Sequence, residues 1–407
     1  MPLDPFLARS SEGEWTERAS AVIPGGASTG SKRAGALYGD GGDGPTHFVS
    51  ASGCRLRTAS GTELVDCTMA LGAVALGYAD EVVTESVIEA ATHGNVSGLS
   101  HVLEVRVAER LCEVIPCAES VRFLKTGAEG VAAAVRLARA YTGRSLVLGC
   151  GYFGWLDWWN EGQGIPEGAH GDFRAVPFDD APALEEAAKR GGDSLAAIVI
   201  EPVIERLPSD EWVAAARRIC SERGAVLIFD EVKTGFRLRP GGFQAYSGVT
   251  PDLAVFGKAL ANGYPLSAVV GVADVMDAAR SSWISSTLAG EAVSLAAANA
   301  VLDWHERAEV CEGLWEIGDD MRAAVTRAVE ASRIEGVRVE GIAPMWFLRF
   351  DDERLSARFV TLAAQDGVLF KRGAYNFSSL AHDDDAIARI EAAASDALVQ
   401  LREGVDD

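Results

Sequence analysis

The sequence predicts an α/β protein: a mostly parallel sheet covered by helices, joined to a smaller α+β domain. Three observations carry this. Between Val121 and Val272, short apolar runs alternate with amphipathic stretches of helical length. The chain has 407 residues, 48% hydrophobic and 24% charged, enough to bury a large core without staples. From Leu288 onward the texture changes to a long Ala-rich helical segment followed by isolated strands between helices.

Residues 10–44, with IPGGASTGSKRAG at 23–35, read as a loop-rich arm rich in Gly, Ser and Ala. Residues 47–67 suggest short antiparallel strands, with Ser60-Gly61-Thr62 as a hairpin turn. Asp80–Thr92, with Asp80 as its natural cap, and Glu104–Val114 follow as amphipathic helices. Strands are then expected at VRFL (121), LVLGC (146), LAAIVIEP (195), AVLIFDEV (225), LAVF (253) and SAVVGV (267), with helices near 129–141 and 211–223. MWFLRF (345) and GVLF (367) are the strands of the C-terminal part, and Asp383–Asp385 forms the cap region of a last helix. The expected division is 1–65 as arm and part of the small domain, 66–290 as the large domain, and 291–407 as the rest of the small domain.

The balance of 37 basic against 59 acidic side chains gives a formal charge of −22, which argues against nucleic acid or an anionic membrane as partner. It favours cationic ligands, or reflects the acidic proteome of a salt-adapted cell. The seven cysteines are odd in number and form no CxxC pair, which fits reduced thiols better than a disulfide framework. The six histidines form no HxxxH or HExxH pattern, so no metal is expected. The N-terminal stretch has no basic segment followed by an apolar one, and no run of 18 apolar residues occurs later, so a soluble cytoplasmic protein is expected.

Three segments bear chemistry. In Phe123-Leu-Lys-Thr-Gly-Ala-Glu-Gly-Val a strand runs through Thr126-Gly127-Ala128 into a helix, a geometry that suits a phosphate although such turns are common. In IFDEVKTGFR, Asp230 and Glu231 follow an apolar run; acids there are often caps, but one can also hold a protonated ring nitrogen. Lys258, in DLAVFGKALANGYPLSAVVG, follows a strand ended by Gly257. Most lysines are surface charges. One held at a strand end can be desolvated and become a nucleophile toward aldehydes.

The ordered series IPGG, VRFLKTGAEGVAAAVRLARAYTGR, IEPV, LIFDEVKTGFR, FGKALANGYPLSAVVG, STLAGE and SLAH resembles the class III, fold-type I, pyridoxal-phosphate aminotransferases, in the glutamate-1-semialdehyde aminomutase-like branch. The resemblance spans nearly the whole chain and implies a seven-stranded sheet, pyridoxal 5'-phosphate as cofactor and a homodimer. It implies that Lys258 anchors the cofactor covalently and shuttles the proton, and that Asp230 pairs with the pyridine nitrogen. It further implies that Thr126, Gly127 and Ala128 form the phosphate loop with its third hydroxyl missing, and that Thr287 reaches the neighbouring subunit's phosphate. Tyr152 falls where the family stacks an aromatic on the ring, with Phe153 in place of the usual His; Val232 packs behind the ring and Glu201 supports these groups.

Two substrate-facing segments depart from the family. Its PGGVNSPVR arginine becomes Lys32, or Arg33 with a one-residue shift, and its AFEAGF gives way to KRGAYNFSSLAH. Aromatic residues accumulate instead: Trp155, Trp158 and Trp159 around Asp157, and Tyr375 beside Asn376. Core packing is the ordinary role of tryptophan; the other is a platform for a sugar or cyclitol ring. The expected reaction moves an amino group from an amino acid such as glutamate to an aldehyde or ketone on an amino sugar or aminoglycoside intermediate. The alternatives are an intramolecular aminomutase, an epimerase, and a non-catalytic protein of the same fold.

Overall fold

In the computed structural model, which describes residues 11–403, three antiparallel-linked strands come first: β1 (Phe48–Ser52), β2 (Arg55–Thr58) and β3 (Glu63–Asp66). Residues 1–10, on which most of the reading of the N-terminal stretch rests, lie outside the described residues. A seven-stranded sheet follows from β4 (Ser120–Leu124), β5 (Leu146–Cys150), β6 (Phe173–Ala175), β7 (Leu195–Ile200), β8 (Val226–Asp230), β9 (Leu253–Phe256) and β10 (Ser267–Gly271). Its order is β4-β10-β9-β8-β7-β5-β6. Only β10 runs against its neighbours, so the carboxyl ends of the other six strands share one edge. The central strands β7, β8 and β9 are buried at every residue, as expected of parallel strands covered on both faces. The helix Gly127–Thr142 contributes Val131, Val135 and Leu137 to the core beneath β4, β7, β8 and β9. The short strand β6 has no counterpart among the expected strands: its three residues are partly or fully exposed and carry no apolar run.

The described chain forms two compact units, one spanning Glu81–Glu312 and a smaller one made of the residues up to Asp80 with those from Gly313 on. These divisions fall later than the sequence boundaries at 65/66 and 290/291. The Ala-rich helix, Ala292–Arg307, packs on the helices Glu81–His93 and Val102–Val114 and therefore belongs with the seven-stranded sheet. Three further strands, β11 (Val337–Ile342), β12 (Met345–Phe350) and β14 (Asn376–Phe377), form an antiparallel sheet in the smaller unit. The intervening β13 (Val368–Leu369) joins β3 in parallel, so a C-terminal strand completes the N-terminal sheet. Asp383 caps the last helix by accepting from Ala386 N at 2.8 Å.

The arm is not all loop. Glu12–Val22 is a helix started by a capping box in which Ser11 N donates to Glu14 Oε2 at 2.7 Å and Glu14 N to Ser11 Oγ at 3.3 Å. The Ser-x-x-Glu pattern at Ser11–Glu14 is the signal for this start, but the Gly- and Ser-rich run after it gives the segment the texture of a loop. All seven cysteines are free, and no helix among the described residues is long and apolar enough to cross a membrane.

Candidate active site

Except for Thr287, the expected cofactor groups of the larger unit follow the carboxyl ends of its parallel strands. β9 ends at Phe256, Gly257 is fully extended, and Lys258 then opens a single 3₁₀ turn with φ of 48°. A lysine in the left-handed region is strained unless its surroundings hold it there. Lys258 is partly buried, and burial, reinforced by Lys233, lowers its pKa to about 8.

Asp230 closes β8, in register with Val255 of β9. Its Oδ1 accepts from Val232 N at 3.0 Å, and burial, followed by the charge of Glu201, raises its pKa to about 7. No described side chain forms an ion pair with Asp230 or with Lys258. Glu231 plays a different part. It accepts from Phe243 N at 2.8 Å, Gln244 N at 3.0 Å and Thr234 Oγ1, binding the start of the helix Gly242–Ser247. The adjacent acids thus divide into a free carboxylate and a structural one.

Thr126 caps the helix Gly127–Thr142 through a capping box with Glu129, whose Oε2 accepts from Thr126 N at 2.9 Å. The N–H groups of Gly127 and Ala128 then remain without an acceptor inside the helix, which is the arrangement that binds an anion. The turn is packed against its neighbours. A Cβ on Gly127 would lie 2.9 Å from Val232 Cγ1, and Gly154 backs directly onto the Ala128 methyl. Ala128, where the family's third hydroxyl is missing, makes that close approach.

After β5, Gly151 at φ of 136° turns the chain against Glu201, and Tyr152 N donates to Glu201 Oε2 at 3.0 Å. Tyr152 is 66% exposed and Trp155 72%. Phe153 is buried against Trp158, Trp159 and Phe173, with Trp159 Nε1 donating to Gly154 O at 3.1 Å. Core packing therefore accounts for Trp158 and Trp159, leaving Trp155 as the exposed member of the trio.

Thr287 lies elsewhere on the larger unit, lining an open depression with Asn95, Ser97, His101, Glu104 and Arg122. Lys32, Arg33 and Tyr375 belong to the smaller unit: the first two are exposed, and Tyr375 packs edge-on to Phe347 at 5.7 Å. Sequence reading assigns no part to Lys233 or Arg237, both buried and both acting on Lys258. Their signal is the placing of basic residues three and seven positions after Asp230, behind a strand that runs into two adjacent acids.

A buried carboxylate and an amine, neither of them ion-paired, and a helix start with free N–H groups fit a pyridinium, an aldehyde and a phosphate. The chain is similar to the glutamate-1-semialdehyde 2,1-aminomutase of Methanopyrus kandleri, 32% identical over 95% of this chain and 97% of that one. It is 34% identical to the 2'-deamino-2'-hydroxyneamine transaminase of Streptomyces kanamyceticus, over 86% and 91% of the two chains. The FumI protein of Sphingopyxis sp. MTA144, solved in its PLP internal aldimine form, superposes with a TM-score of 0.92 at 27% identity, covering 97% of both chains. The model of the family "Aminotransferase class-III" matches residues 39–149 and 175–389, and the chain belongs to that family of pyridoxal-phosphate enzymes.

Proposed function

We propose that this enzyme is an aminotransferase that moves an amino group from an amino acid, glutamate being the first to test, to the carbonyl of an amino sugar or aminoglycoside intermediate. The observation that carries the acceptor class is the 34% identity to the transaminase of Streptomyces kanamyceticus. The exposed Trp155, the charge of −22 and the loss of the family arginine near Lys32 and Arg33 support it.

When bound, pyridoxal phosphate supplies a carbonyl for amine exchange and an electron-accepting ring that acidifies the hydrogen on the substrate's amine-bearing carbon. Gly127 and Ala128 N–H, with Thr126, would hold the phosphate; Asp230 would hold the ring nitrogen in its charged form; Tyr152 and Val232 would pack against the ring. Glu201 fixes Tyr152. Lys258 would anchor the aldehyde and, as a free amine, would carry a proton from the substrate's amine-bearing carbon to the former aldehyde carbon of the cofactor, the shift that moving an amino group requires. Its depressed pKa keeps part of the amine neutral near pH 7, as a base requires.

We assign the site to a homodimer in which Thr287 serves the neighbouring subunit's phosphate, the sharing being reciprocal under two-fold symmetry. Its free cysteines suit a reducing cytoplasm.

The second reading is an intramolecular aminomutase, favoured by the 32% identity to the Methanopyrus kandleri enzyme over 95% of the chain. A screen of amino sugars and ω-aldehydo acids, with glutamate, glutamine and alanine as donors, separates the two. Donor-dependent amination of a sugar carbonyl, with release of the donor's keto acid, is the expected result. Turnover of glutamate 1-semialdehyde alone, without a donor, would establish the aminomutase instead.

A further inference from the structure

Lys233 follows Asp230 by three residues, and its ammonium lies 2.6 Å from Glu201 Oε1, with side-chain exposures of 9% and 12%. Two charges withdrawn this far from water are costly, and such a pair persists where its remaining atoms are also engaged. Here they are engaged. The other oxygen of Glu201 accepts from Tyr152 N at 3.0 Å, and Gly151 presses its backbone onto the Glu201 stem.

We propose that Lys233 is a positioning residue of the reaction: paired with Glu201, it fixes the Tyr152 backbone and holds a second buried positive charge close to Lys258. The proposal rests on the reading of Lys258 and Tyr152 as cofactor groups and adds a residue to it.

Four charged groups act on Lys258: Glu201 after β7, Asp230 at the end of β8, and Lys233 and Arg237 in the segment that follows; the helix Ala292–Arg307, which also packs on the Lys258 turn, adds none. The carboxylates favour a protonated Lys258, and Lys233 and Arg237 oppose them. Arg237 is itself wholly buried, and burial lowers its pKa to about 10. After burial, Lys233 is the largest cause lowering the Lys258 pKa. Without Lys233, Glu201 would act on Lys258 opposed only by Arg237 and would lose its ion-pair partner at the turn that carries Tyr152.

The test uses the full-length, cofactor-loaded protein and reads the pH midpoint at which the visible absorption of the lysine-bound cofactor changes. Lys233→Met should move the midpoint up by about one pH unit, the lower end of what a nearby buried charge produces. Lys233→Arg should restore it. Glu201→Gln should move it down, and Lys233→Met combined with Glu201→Gln should bring it back toward the wild-type value. A role confined to packing would lower melting temperatures without these opposed shifts. An unchanged midpoint in Glu201→Gln, or a double variant that stays at the Glu201→Gln value, would overturn the proposal even if Lys233→Met alone failed to fold. Borohydride labelling of wild-type protein at a lysine other than 258 would instead remove the reading on which it rests, whatever the variants do.

Discussion

Asp230 and Lys258 stand at the ends of adjacent parallel strands, Asp230 in register with Val255, three residues before the lysine, and neither is ion-paired to a described side chain. The larger unit thus holds a carboxylate and an amine on neighbouring strand ends, each feeling the other's charge without forming an ion pair.

The first prediction concerns Asp230 in cofactor-free protein. Its pKa rises from 3.8 to about 7 on burial, so its contribution to stability is full below pH 4 and is lost as pH rises through 7. Melting curves at pH 4 to 8 should show wild type losing stability relative to Asp230→Asn across that window. Cofactor binding should flatten the dependence, because a cationic ring favours the carboxylate. In the loaded enzyme, Asp230→Asn should cut turnover about 10²–10³-fold, the usual scale for removing one electrostatic stabiliser.

Gly127 tests the phosphate turn. Its added Cβ would meet both γ-carbons of Val232 at 2.9 Å, an overpacking that costs about 1–3 kcal/mol. Gly127→Ala should bind pyridoxal phosphate about tenfold or more weakly, measured by fluorescence titration, and Val232→Ala in the same chain should restore much of the loss.

How far these features are legible in the sequence follows from the range of the forces involved. The strands β7 and β8 are readable because parallel strands covered on both faces are apolar at every position. Lys258 and Asp230 stand out as charges placed directly after such runs. The short strand β6 and the helix Glu12–Val22 escape notice because neither carries a strong apolar period. The division of labour between Asp230 and Glu231 cannot be read locally: Glu231 is claimed by backbone N–H groups twelve and thirteen residues later, a contact that only the fold creates. The Lys233–Glu201 pair joins different strands for the same reason.

Assembly gives the third prediction. Leu99 and Trp283 are 84% and 86% exposed, on the two segments that also line the depression holding Thr287. Sedimentation should give a dimer for wild type. Leu99→Glu should shift it toward monomer and reduce activity in proportion. A fully active wild-type monomer at assay concentration would contradict the shared site.

Trp155 tests the substrate reading. Because its ring is exposed, Trp155→Ala should leave the melting temperature within a few degrees of wild type, yet raise KM for a productive amino-sugar acceptor about tenfold. KM for that acceptor should also rise with added salt, as screening weakens attraction to the acidic surface. A KM indifferent to both changes would argue against a cationic sugar.

The most direct test of the central claim is borohydride reduction of the coloured, cofactor-loaded protein followed by peptide mapping. The label is predicted on Lys258, and Lys258→Ala should abolish turnover. Label on Lys233 or Lys371, the two buried lysines, would contradict the assignment of the site.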